Sequence, residues 1–167
     1  MRLLISLALL CVCVDCARAE EDVFSDFEQI YLTVFEDIIH DHKATDGRVF
    51  AVALGEKRGG TLIPMPAELW KRLSARLKAK GVDLAKFVPA DEVVWKEVDG
   101  DGRLIHESSG KDAWVYVVHQ ITWRGGQRLY VQEMVTSGFL SGGGSTLILE
   151  KKNGKWIIVK RIEGWVS

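Results

Sequence analysis

His119 is the histidine best placed to do chemistry, because it lies in the middle of a strongly β-forming run near residues 113–123. An imidazole changes charge near neutral pH, so in an apolar cavity it serves as a base, an acid or a ligand anchor. A second β-rich run, near 128–139, follows across Gly125-Gly126. Paired glycines reach the positive φ values that two-residue hairpin turns need. With those glycines as the turn, Arg124 faces Gln127 and His119 faces Gln132. Alternate residues share a face, so Val115, Val117, Ile121 and Trp123 then stand beside Tyr130, Met134 and Thr136. A few polar groups in an apolar and aromatic surround are the usual make-up of a small-molecule pocket. The expected ligand site is therefore His119, Gln132, Tyr130 and Trp123. The competing reading has His119 and Gln132 bonding only each other beneath a helix.

The other constellations fall short of a reactive centre. His40 and His42 flank Asp41, with Asp37 and Asp46 nearby, but residues two apart on a helix point to opposite sides, so no metal site is expected. Glu97, Asp99, Asp101 and Gly102 echo a calcium loop, yet its twelfth position is Ser108 instead of a bidentate glutamate. A hairpin turn is the expectation there. The segment Ser137–Ser145 is glycine-rich but lacks the Lys-Ser or Lys-Thr pair and the helix of a phosphate loop, so it reads as a turn or a sheet bulge. No G-x-S-x-G elbow occurs. The six tryptophans read mostly as core, with one or two at most beside a ligand. No cofactor is implied.

The elements that position these residues begin after an export signal. Arg2, the apolar run Leu3–Val14 broken only by Ser6, and Ala17-Arg18-Ala19 have the three-part layout of a secretory signal peptide. Cleavage is expected between Ala19 and Glu20. The apolar run is too short to span a bilayer, so the mature form is expected to carry no transmembrane segment. Cys11, Cys13 and Cys16 all lie in residues 1–19, and the 148 residues that remain (167 minus 19) are cysteine-free. Disulfide and thiolate chemistry are thereby excluded from the mature domain, which is nonetheless long enough to bury its own core. With Arg2, Arg18 and Asp15 removed, 20 basic residues face 22 acidic ones (22 minus 2, 23 minus 1), a balance that argues against nucleic acid as a partner.

Within residues 20–167, expected as a single α+β domain, Phe27, Ile30, Tyr31, Val34, Phe35, Ile38 and Ile39 follow helical spacing. Ser25 with Glu28 makes a capping box at the start. Residues 49–54 read as a buried strand. Pro66 opens a second helix with the stripe Leu69, Trp70, Leu73 and Leu77, its basic residues 71–80 forming the solvated face. Residues 81–112 hold one short strand at 93–95 and turn chemistry. Four β-rich runs near 113–123, 128–139, 145–152 and 155–163 follow, divided by Gly125-Gly126, Ser141–Gly144 and Asn153-Gly154. The expected fold is α+β: N-terminal helices packed on a curved, mainly antiparallel sheet that ends in a four-strand meander.

In element order the chain resembles the cystatin-like α+β folds, and among them the NTF2-like domains, whose curved sheet wraps N-terminal helices. The resemblance implies a fold and a conical pocket, with no functional residue attached to it. The function read from the sequence is a secreted or periplasmic, non-catalytic binding or interaction module with an apolar pocket, its partner a small apolar ligand or an envelope protein. The alternatives are a small acid/base enzyme of the isomerase or dehydratase type using His119, and a structural envelope protein.

Overall fold

The structure is a computed structural model that describes residues 26–40, 48–56, 61–98, 101–125, 127–138 and 141–166. The signal segment 1–19, the Ala19/Glu20 cleavage point, Ser25, His42, Asp46 and Asp99 lie outside the described residues.

Helix α1 (26–40) forms where the three-and-four spacing predicts it, and Ile30, Val34, Phe35, Ile38 and Ile39 are buried along its stripe. Leu32 is buried as well, off that stripe. Its cover is helix α2 (Ala67–Ala79), which borders α1 along a cleft lined by Leu32, Ala75 and Arg76. Part of the basic cluster on α2 is spent on this contact: Arg72 pairs with Glu28, while Arg76 and Lys80 both reach Glu36, at 3.4 and 2.9 Å. Pro66 is the residue just before α2, and Gly81 with φ +79° follows its C-cap, where a left-handed residue ends a helix at little steric cost.

The strands are β1 (Val49–Glu56), β2 (Leu62–Pro64), β3 (Phe87–Pro89), β4 (Val93–Val98), β5 (Asp101–His106), β6 (Ala113–Trp123), β7 (Arg128–Gly138), β8 (Ser141–Lys152) and β9 (Lys155–Val166). They make one curled sheet, and it is mixed, where a mainly antiparallel one was expected. The β6–β7–β8–β9 meander is antiparallel as anticipated, but β1 runs parallel to both β6 and β3. Parallel pairing requires a crossover, and the 57–112 segment, with α2 in it, provides one. Nothing in the periodicity of β1 reveals which neighbour it takes.

Two apolar clusters occupy the two faces of the sheet. On the inner face, α1 and α2 pack against Phe50, Val52, Tyr116, Val118, Leu129, Val131, Leu147 and Leu149. On the outer face, the β4–β5 hairpin and the turn at Ala90–Glu92 enclose Ala51, Ala53, Val115 and Val117 with Val93 and Leu104. The hairpin expected around residues 97–102 is thus present, with Val98 opposite Asp101.

The glycine-rich segment, expected as a turn or a sheet bulge, is in its described part the start of strand β8, and its pairing is irregular on both sides: one shift against β7 near Thr136 and another against β9 between Gly143 and Ser145. Glycine is required there by close backbone approach. A Cβ on Gly144 would lie 2.7 Å from the Glu133 carbonyl oxygen.

Candidate functional site

The β6–β7 hairpin departs from the expected register at one residue. Val115 faces Thr136 and Val117 faces Met134, as the two-glycine turn predicts, but beyond Val118 the pairing shifts: Gln120, not His119, faces Gln132. The turn explains the shift. Arg124 donates its backbone N–H to the Arg128 carbonyl at 3.3 Å, which leaves three residues, 125–127, in the loop. One extra residue then has to bulge out of β6, and it is His119.

The bulge reverses the facing of every β6 residue between it and the turn. Ile121 and Trp123 go to the inner face, opposite Val131 and Leu129, and Trp123 sets its ring edge-on to Trp156 with centroids 5.4 Å apart. Tyr130 stays on the outer face, 5.8 Å beneath the Arg124 guanidinium. Of the four expected site residues, His119 and Gln132 are brought together. Both are exposed, and they line a shallow outer cavity of about 160 Å³ with Met134, Thr146 and Trp165.

The larger cavity, about 400 Å³, opens on the inner face beside the C-terminal half of α1. Its polar floor is Glu133, only 7% exposed although it is a carboxylate. Strand β7 places it there because Leu129, Val131, Glu133 and Val135 share one parity, and β8 sets Ser145 directly opposite. The Ser145 hydroxyl donates to Oε1 of Glu133, and the Arg161 guanidinium of β9 donates to the same oxygen at 3.0 Å. Arg161 also reaches Asp37 on α1, so one cation ties the helix to the sheet across the cavity. Tyr116, Val135, Glu163 and Trp165 complete the wall.

The electrostatics follow from this burial. Loss of water pushes the Glu133 carboxyl above its ordinary pKa, and nearby Asp37 pushes the same way. Hydrogen bonds from Ser145 and Arg161 and the charge of Arg161 pull against the shift without cancelling it. Burial and then the charge of Glu133 raise the Tyr116 phenol in turn. A carboxyl so placed keeps its proton to a higher pH than a solvated one. Glu133 and Arg161 together also offer an acceptor and a donor to a ligand that enters beside Ile38 and Val135.

Sequence reasoning passed over Glu133, Ser145, Tyr116 and Arg161. A signal for Glu133 was present: it is a charged residue between Val131 and Val135 on the apolar face of a strand. His106 was passed over too. It is buried, with Nδ1 2.7 Å from Ser109 Oγ and Nε2 3.1 Å from a Glu92 carboxylate oxygen, and it fastens the turn after β5 to the turn before β4. Among the described residues no group of three or more His, Asp or Glu side chains is arranged to hold a metal ion. No helix among them is long and apolar enough to cross a membrane. Compared with known protein families, curated proteins and solved structures, the chain matches none.

Proposed function

We propose that this chain is an exported ligand-binding domain whose small-molecule ligand occupies the inner cavity and bonds to Glu133 and Arg161. The observation that carries the reading is Glu133, buried at the floor of a concave site where Ser145 and Arg161 offset its loss of water, so that an acceptor and a donor stand beside the apolar wall of Ile38, Val135 and Trp165. The helix α1 lying in a curled sheet supports the likeness to cystatin-like and NTF2-like domains, and the layout of residues 1–19 supports export to the periplasm or the exterior. A second reading, an acid/base enzyme of the isomerase or dehydratase type, draws support from the raised pKa of Glu133. Its proton carrier is then Glu133, since His119 stands exposed on the other face of the sheet.

The test is a thermal-shift screen with small apolar molecules that carry one polar group, run on the native protein and on Glu133→Gln and Val135→Trp. Ligands of the inner cavity lose their shift in both variants and keep it in His119→Ala. A shift that survives both changes but vanishes in His119→Ala and Gln132→Ala relocates the site to the outer face. N-terminal sequencing of the protein from its native host tests export, which predicts Glu20 as the first residue.

A further inference from the structure

Outside the residues that line the two cavities, the turn between β5 and β6 gathers a second set of reactive side chains. Strand pairing sets His106, the last residue of β5, opposite Val93, and Glu92 directly precedes Val93. The Glu107 N–H donates to the Glu92 carbonyl at 2.9 Å, which fixes the turn against the start of β4. His106 is thereby held between two neighbours, with Nε2 3.1 Å from the Glu92 carboxylate and Nδ1 2.7 Å from Ser109 Oγ. The imidazole is buried, whereas Ser109 is exposed.

The bonding partners decide the tautomer. An ionised carboxylate only accepts hydrogen bonds, so Nε2 carries the proton and donates it to Glu92. Nδ1 is then the acceptor, and the proton in the 2.7 Å contact comes from the Ser109 hydroxyl. Ser108 Oγ, 3.2 Å from Nε2, lies on the protonated side of the ring and has no base there to take its proton. A serine bonded to an imidazole that a carboxylate orients is the pattern of an activated nucleophile. The Lys111 backbone N–H also approaches Ser109 Oγ, at 3.4 Å, and favours negative charge on that oxygen.

We infer that Ser109, His106 and Glu92 form a nucleophilic centre that accepts the acyl group of small, unhindered esters and passes it to water. Ser109 Oγ attacks the carbonyl carbon while its proton moves to His106 Nδ1, and Glu92 stabilises the imidazolium through the Nε2–H. Collapse of the tetrahedral adduct breaks the bond to the leaving alcohol oxygen, which takes the proton from Nδ1. Water then attacks the acyl-serine carbonyl and gives a proton to Nδ1. A second collapse releases the carboxylic acid, and that proton returns to Ser109 Oγ. Ser109 and His106 touch the reacting atoms, while Glu92 positions the imidazole. An exposed turn admits a short acyl chain without an enclosing pocket.

The test is labelling of the native chain with a fluorophosphonate, which phosphonylates activated serines with loss of fluoride, beside hydrolysis of p-nitrophenyl acetate. Peptide mapping should place the label on Ser109. Ser109→Ala should abolish it and return p-nitrophenol release to the uncatalysed rate, while Ser108→Ala should label at the native rate. His106→Gln should slow labelling about 10²-fold or more. Should that buried change unfold the chain by circular dichroism, Glu92 decides, because its side chain is 51% exposed and its replacement spares the core. Glu92→Gln should slow labelling at least about tenfold through loss of the tautomer, and Glu92→Asp should recover part of the rate. A label absent from Ser109 or placed on Ser108 overturns the inference. So does ester hydrolysis that Ser109→Ala leaves unchanged, or labelling of Ser109 as fast in Glu92→Gln as in the native chain.

Discussion

The two faces of the β6–β9 meander are built from alternate residues of the same strands, yet they hold polar groups in opposite ways. On the inner face Glu133 is nearly out of water, fastened by Ser145 and Arg161 beneath α1. On the outer face, beyond the cover of the β4–β5 hairpin, His119 and Gln132 are open to solvent beside a cavity less than half the size. Residue type alone would have ranked the histidine first. The difference shows that a group's chemistry here depends on which face has a helix over it, since burial is the largest cause of the Glu133 shift and makes its polar contacts costly to lose.

Phe35, fully buried in mid-α1, fills the space over the inner face, and Phe35→Ala should lower stability by about 3–5 kcal/mol, with Val34→Ala costing less. Denaturant unfolding measures both, and two neutral results would remove α1 from the core. Next in size is Gly144→Ala, whose added carbon has to push β8 away from the Glu133 carbonyl. A loss of about 1–3 kcal/mol is expected, as for other overpacked sites.

Glu133 sharpens the contrast through pH. Its pKa in the folded state is raised, so folding favours the protonated carboxyl. The native protein should therefore lose stability as pH rises from the ordinary value of 4.5 through the folded pKa of Glu133, with the whole penalty present above it. Glu133→Gln lacks this contribution, and the difference between the two stability profiles isolates it. A difference of opposite slope would mean that Arg161 and Ser145 outweigh burial. The smallest effect belongs to the outer face: His119→Ala should change stability by no more than about 0.5 kcal/mol, because its side chain is solvated at a bulge.

Much of the fold was legible in the residues. The stripe from Ile30 to Ile39 marks α1, Leu73 and Leu77 mark α2, and Asn153-Gly154, both with positive φ, closes the β8–β9 hairpin where a two-residue turn was expected. Less of the site was legible. The hairpin arithmetic held from Val115 to Val118 and failed at His119, because a turn one residue longer than Gly125-Gly126 needs a bulge, and a bulge leaves no mark in a period-two pattern. Trp123 left the expected site for the same reason.

What the sequence determined by itself was local: helical and strand periods, turn chemistry and a cysteine-free stretch from residue 20 onward all depend on residues close together in the chain. Tertiary structure alone decided the rest. Whether β1 lies parallel to β6, which face α1 covers, and whether Glu133 meets Arg161 across 28 positions depend on contacts between distant segments. Such contacts are set by the packing of whole elements, and their energy is not a function of any one window of residues.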